Sequence, residues 1–176
     1  MEDFEKFYNL ALRFLSYRPR SEKEVRDYLK LKTSHFAKAS RDKQNSESGT
    51  ENNIELLINK VIEKLKEKKF INDEEFAKGW IESRLKFKPR SMKLIKFELR
   101  HKGIDDELID RLIHDSEFII QNDLESAKKL VEKRIGRLKG LGKQEVYQKL
   151  GRFLASKGFD WDTIKKVIDE VLGKGV

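Results

Sequence analysis

Cysteine is missing from this 176-residue chain, which excludes disulfides, thiolate nucleophiles and thiolate-bound metals. No apolar run approaches the roughly 18 residues that a membrane-spanning helix needs. The acidic start Met1-Glu2-Asp3-Phe4-Glu5 is unlike a secretory signal. These absences lead us to expect a cytoplasmic protein with no membrane association. The three histidines, His35, His101 and His114, have no second His at helical spacing, so a metal site is not expected. A phosphate-cradling Gly-x-x-x-x-Gly-Lys-Ser/Thr sequence is also lacking. Gly140-Leu141-Gly142-Lys143 reads instead as a turn between two helices. The carboxylates of Asn72-Asp73-Glu74-Glu75 are accounted for by helix capping and the helix dipole. With no constellation of polar groups to support a reaction, we expect neither an enzyme nor a cofactor.

Charge is what the chain has in abundance. Charged residues make up 40% of it, hydrophobic ones 38%, and the net charge is +8. The excess is clustered. Residues 84–102 hold eight Lys/Arg against one Glu, and residues 127–157 hold ten against two, so the rest is net acidic. Such clustering suits a polyanionic partner, because each neutralised phosphate releases condensed counterions. A solvated lysine-rich surface would look the same by composition alone.

Apolar residues recur at helical spacing almost throughout. Ile54, Ile58, Val61, Ile62 and Leu65 fall on one face, as do Leu108, Ile109, Leu112 and Ile113, and Ile164, Val167, Ile168, Val171 and Leu172. No segment alternates long enough to argue a strand. The pattern also repeats. Ala11, Phe14, Leu15 and Arg18 are matched by Ala77, Trp80, Ile81 and Arg84 at an offset of 66, and again by Ala127, Leu130, Val131 and Arg134 at a further 50. The only two prolines stand in Arg18-Pro19-Arg20-Ser21 and Lys88-Pro89-Arg90-Ser91, each marking a helix boundary followed by a serine N-cap. Ser21 and Glu24 have capping-box spacing. Leu29, Leu99 and Leu154 share one late position in this second helix, Gly103 and Gly158 end it, and Asp105 and Asp160 cap a third.

The expected fold is therefore all-α: three tandem three-helix repeats, stacked into an elongated, curved array. The expected boundaries are residues 1–71, 72–121 and 122–176. The first repeat carries a polar insert, residues 33–53, read as a loop in which Leu31 to Lys43 could extend the preceding helix.

Several residues admit two readings. Trp80 could stack a base, but it aligns with Phe14 and Leu130 and so reads as core. Trp161 follows a cap residue and reads as partly buried packing. Arg18, Arg84 and Arg134 recur on the apolar side, where a half-buried arginine needs a partner, and read as ties between helices. Gly79, inside a helix, reads as a close approach by a neighbouring helix. The basic stripes are the candidate binding residues. Lys93, Lys96 and Arg100 share one face; so do Lys129, Lys133 and Arg137; Lys149 and Arg152 continue the pattern. Lys86, Lys88, Arg90, Lys139 and Lys143 lie in the adjoining turns. Like charges at such spacing repel, which favours a polyanion that neutralises them.

Taken in order, Ala11-x-x-Phe14-Leu15-x-x-Arg18-Pro19-Arg20-Ser21-x-x-Glu24-Val25, Phe70-Ile71-Asn72-Asp73-Glu74-Glu75-Phe76-Ala77, Glu98-Leu99-x-x-Lys102-Gly103-Ile104 and Lys157-Gly158-Phe159 resemble the RecX family over nearly the whole chain. The resemblance implies tandem three-helix repeats that regulate the RecA recombinase in homologous recombination, DNA repair and the SOS response. It implies binding along the groove of the RecA filament on single-stranded DNA, with inhibition of recombinase, ATPase and co-protease activity. We expect a monomer in that role. The chain departs from the family pattern at residues 33–53, which replace a short glycine-containing turn. Two other readings stand beside this one: a free-standing nucleic-acid binder with no filament requirement, and a helical scaffold for an acidic protein.

Overall fold

The computed structural model describes residues 2–39, 47–113 and 116–173. Among them the structure is helical, with no strand. The elements are α1 (Glu2–Leu15), α2 (Glu22–Ala39), α3 (Glu47–Glu67), α4 (Asp73–Phe87), α5 (Met92–His101), α6 (Asp106–Leu112), α7 (Ser116–Ile135), α8 (Lys143–Ala155) and α9 (Trp161–Gly173), with a 3-10 turn at Gly136–Leu138.

Helix ends fall where cap chemistry places them. Ser21 Oγ accepts from the Glu24 amide at 3.2 Å, and a Glu24 carboxylate oxygen accepts from the Ser21 amide at 3.3 Å, closing the capping box. Ser91 Oγ accepts from Leu94 N–H, Asp105 from Glu107 N–H and Asp160 from Thr163 N–H. Gly103 and Gly158 have φ of +78° and +87°, the left-handed region that glycine enters without a side-chain clash. Each also lies against a neighbour. A Cβ on Gly103 would sit 2.5 Å from Lys23 Cβ, and one on Gly158 would sit 2.8 Å from Leu94 Cβ.

The chain forms two compact units: Met1–Phe76 with Lys102–Ile104, and Ala77–His101 with Asp105–Val176. In the first, α1, α2 and α3 pack around Phe7, Ala11, Val25, Leu29, Ile58, Val61, Ile62 and Leu65. In the second, α7, α8 and α9 close on Ala127, Val131, Leu150, Leu154, Ile164 and Ile168, and α5 packs against α6 and α7. Burial of each Val, Leu, Ile or Phe side chain among these stabilises by about 1.5–3 kcal/mol.

Three expectations need correction. The insert is not simply a loop: α2 continues to Ala39 and α3 begins at Glu47, while residues 40–46 lie outside the described residues. Its ends extend helices already formed and anchored in the core by Leu29 and Ile58, and adding residues to a formed helix costs less than starting one. Gly79 faces open space, with nothing within 4 Å of an added Cβ, so no neighbouring helix approaches it. Trp161 is 62% exposed, its ring meeting only the edge of Tyr147 at 6.4 Å between centroids. As the first residue of α9, it lies outside that helix's buried stripe of Ile164, Val167 and Ile168. His114, set aside above as a metal ligand, lies outside the described residues.

Candidate functional site

Two of the three lysine and arginine residues of α5 do not stand free. Lys96 donates to Asp110 at 2.9 Å and Arg100 to Asp106, both acids belonging to α6. The Lys96 hydrogen bond holds the Asp110 carboxyl below its ordinary value, and Asp106 raises that of Arg100. Arg90 turns inward and is half-buried. It pairs with Glu98, which also accepts from Arg84 Nε at 2.7 Å and from the Trp80 indole at 2.8 Å. The Arg84 guanidinium lies 4.1 Å over the Trp80 ring, so Trp80 is a half-buried support with a polar handle. Three members of the expected α4–α5 binding set thus have acids of their own, and Lys93, Lys86 and Lys88 remain exposed. The repulsion expected along α5 is relieved from within, by acids just past the end of the basic segment.

On α7 and α8 the balance differs. Lys129 has a loose partner in Glu125 at 3.6 Å, and Lys149 pairs with Glu145 at 2.9 Å. Arg152 Nε reaches only the Gln148 carbonyl at 3.4 Å. Lys133, Arg137, Lys139 and Lys143 are exposed and meet no acid among the described residues. Four of the free cations therefore sit between the end of α7 and the start of α8. Like charges this close lower one another's stability and focus the field for an incoming anion.

Sequence reasoning missed a second device. Asp73, at the start of α4, does not serve its own helix alone: its carboxylate accepts from the Glu22 amide, at the start of α2, at 2.8 Å. Asp123 of α7 does the same for the Met92 amide of α5 at 2.7 Å. Around each, the turn one helix further on closes in. Ser21 Oγ donates to the Lys102 carbonyl at 2.7 Å, and Ser91 N–H donates to the Lys157 carbonyl at 3.1 Å. Burial raises the Asp73 carboxyl, against the Glu22 amide that favours its charged form. Burial pushes Asp123 up to about 6, helped by the nearby charge of Asp160 and opposed by the Met92 amide. The matching of Asp73 with Asp123 at an offset of 50 was the available signal. Within its unit, Glu24 shows the opposite behaviour: burial raises it, yet hydrogen bonds from Arg18, Lys102 and the Ser21 amide outweigh burial and hold it at about 2.

Helical triplets whose caps are supplied by Asp73 in the first unit and Asp123 in the second, with exposed cations around the α7–α8 turn, define a helical-repeat protein. Comparison with known proteins gives the family. Residues 8–33, 72–113 and 121–168 match the models of the RecX first, second and third three-helix domains. The chain is 32% identical over 169 residues to the Regulatory protein RecX of Bacillus velezensis, covering 96% of this chain and 56% of that protein. It is 35% identical over 170 residues to that of Clostridium perfringens, covering 95% and 69%. The crystal structure of RecX from Lactobacillus salivarius superposes with a TM-score of 0.68 at 29% identity, covering 96% of both chains. This chain belongs to the RecX family. It spans a little over half the length of its Bacillus relatives.

Proposed function

We propose that the chain is a negative regulator of a RecA-type recombinase. It binds along the groove of the recombinase filament on single-stranded DNA and inhibits recombinase, ATPase and co-protease activity. The contact is made by the basic faces, with Lys86, Lys88, Lys93, Lys133, Arg137, Lys139 and Lys143 as the cations open to a partner. Lys96, Arg100, Lys129, Lys149 and Arg152 serve beside them, and Arg90 acts by holding Glu98. Of the three repeats, 1–71, 72–121 and 122–176, the second and third supply the contact, and its weak parts add through effective concentration. The protein works as a cytoplasmic monomer. Family membership supports the partner, and the observation that carries the surface is the group of cations around the α7–α8 turn that meet no acid among the described residues.

The test is whether sub-stoichiometric protein suppresses the DNA-dependent ATPase of a RecA-type recombinase. Unchanged ATPase at stoichiometric protein defeats the proposal. A second reading, direct binding of nucleic acid with no filament, is favoured by one pair of residues. Tyr17 and Phe87, 74% and 68% exposed, stand two residues before the two prolines and beside cations, where they could stack on bases. Equal affinity for naked and recombinase-coated single-stranded DNA would select it.

A further inference from the structure

The arginine that recurs in every repeat meets a carboxylate in the first two and, among the described residues, none in the third. Arg18 donates to Glu24 at 2.9 Å. Arg84 donates to Glu98 at 2.7 Å. Aligning the second helices on Leu29, Leu99 and Leu154 places Lys149 at the position of Glu24 and Phe153 at the position of Glu98. Both acids have thus been exchanged, one for a cation and one for an aromatic ring. The Arg134 guanidinium lies 4.2 Å over the Phe153 ring and has no acid among the described residues. Lys157 approaches the same ring at 5.6 Å. Arg134, exposed, lines an open groove of about 560 Å³ with Leu138, Lys149, Arg152, Phe153 and Ser156. Among the described residues, the acid paired with a cation of this groove is Glu145, held by Lys149 on the same helix.

We propose that this groove is a docking site for a carboxylate on an acidic segment of a protein partner, supplied in trans where the first two repeats supply their own. The proposal deepens the regulator reading and rests on it, by naming what the recombinase presents to the third repeat. A carboxylate is favoured over a phosphate because the fold twice places a carboxylate against this arginine, and a guanidinium fork matches two carboxylate oxygens. The Phe153 ring, covered by Arg134, is poorly placed to stack a base. Arg152 and Lys149 at the rim would steer the acidic segment in and fix its register.

The experiment is a titration of the full chain with two probes of matched charge, hexaglutamate and a heptathymidylate with six phosphodiesters, following the Arg134 side-chain and Phe153 ring NMR signals. Hexaglutamate should move those signals and bind at least about fivefold more tightly there than the oligonucleotide. Lys149→Glu restores the acid that Glu24 provides to Arg18. It should weaken hexaglutamate binding by about tenfold or more, whereas Lys149→Gln costs about two- to threefold and Lys165→Glu, the same charge change on α9, less than about twofold. Tighter binding of the oligonucleotide at these signals overturns the proposal, as do equal losses from Lys149→Glu and Lys165→Glu. If hexaglutamate binds as expected while the recombinase ATPase is untouched, the regulator reading fails and the groove assignment stands.

Discussion

The α5 face and the α7–α8 face carry similar densities of lysine and arginine, yet they differ in what those charges do. On α5 and the turn before it, Arg90, Lys96 and Arg100 each hold an acid of the same unit: Glu98, Asp110 and Asp106. Around the α7–α8 turn, Lys133, Arg137, Lys139 and Lys143 hold none among the described residues. A cation already engaged by a carboxylate gains less from a phosphate or an external acid, since the internal pair must be loosened first. The difference separates a face that braces the fold from one that is available to a partner, and a charge count cannot make that distinction.

The comparison is broken most directly by removing one arginine from each side. Arg84→Ala leaves Glu98, a nearly buried carboxylate, with a weakened set of donors and should cost about 3 kcal/mol in urea unfolding, near the low end for breaking a buried pair. Arg134→Ala strands no acid and loses only its packing over Phe153, about 0.5–1 kcal/mol. Equal losses would mean that the two arginines do the same work. The complementary effect is on binding. Reversing Lys133, Arg137 and Lys139 together to Glu should weaken binding to recombinase-coated DNA by about 100-fold, or ~2.7 kcal/mol, and make the dependence on salt shallower. Reversing Lys93, Lys96 and Arg100 should weaken it by about tenfold, since two of these are engaged by α6. A larger effect from the α5 triple would reverse the assignment of the two faces.

A subtler test lies where α7 grips α5. Asp123 accepts the Met92 amide while burial holds its carboxyl near 6. Because the folded value lies above the unfolded one, the folded state binds the extra proton. The associated stability is present below about pH 4 and lost as pH rises towards 6. Asp123→Asn keeps an oxygen acceptor for the amide but cannot ionise. It should match the parent at about pH 4 and exceed it by about 1–2 kcal/mol at pH 7, read from urea unfolding across that range. Parallel stability–pH curves for the two proteins would show that Asp123 does not titrate near 6. Glu24 has the opposite sign: its contribution is present above its unfolded value and is lost as pH falls through about 2.

Much of the fold was legible because caps and periodicity are local. Ser21, Ser91, Asp105 and Asp160 cap the helices their sequence context assigns to them, and Gly103 and Gly158 take the left-handed turns expected after α5 and α8. What escaped depends on contacts between elements. Asp73 read as part of the cap of its own helix, and Asp123 drew no reading, but they cap helices that start 51 and 31 residues earlier. Asp106 and Asp110 fall just beyond the basic segment, so counting charge up to residue 102 missed the acids that neutralise it. Arg134 read as a tie by analogy with Arg18 and Arg84, because its exposure follows from the exchange of both acids in the helix it faces. The insert was misread because its Ser and Asn content reads as a loop, while its two ends continue helices held elsewhere by Leu29 and Ile58.

The smallest expected effect sharpens the comparison from the acidic side. Asp106 and Asp110 are exposed, and each surface pair contributes at most about 1 kcal/mol. Changing both to Asn should therefore leave the unfolding midpoint nearly unchanged. It frees Lys96 and Arg100, however, and raises the net charge by two, so affinity for recombinase-coated DNA should rise by about two- to fivefold at low salt, with a steeper salt dependence. A gain in affinity without a loss of stability is the signature of cations restrained by internal acids rather than cations aimed away from the partner. If affinity stays flat, the α5 face lies outside the contact altogether, and the third repeat carries the electrostatic attraction alone.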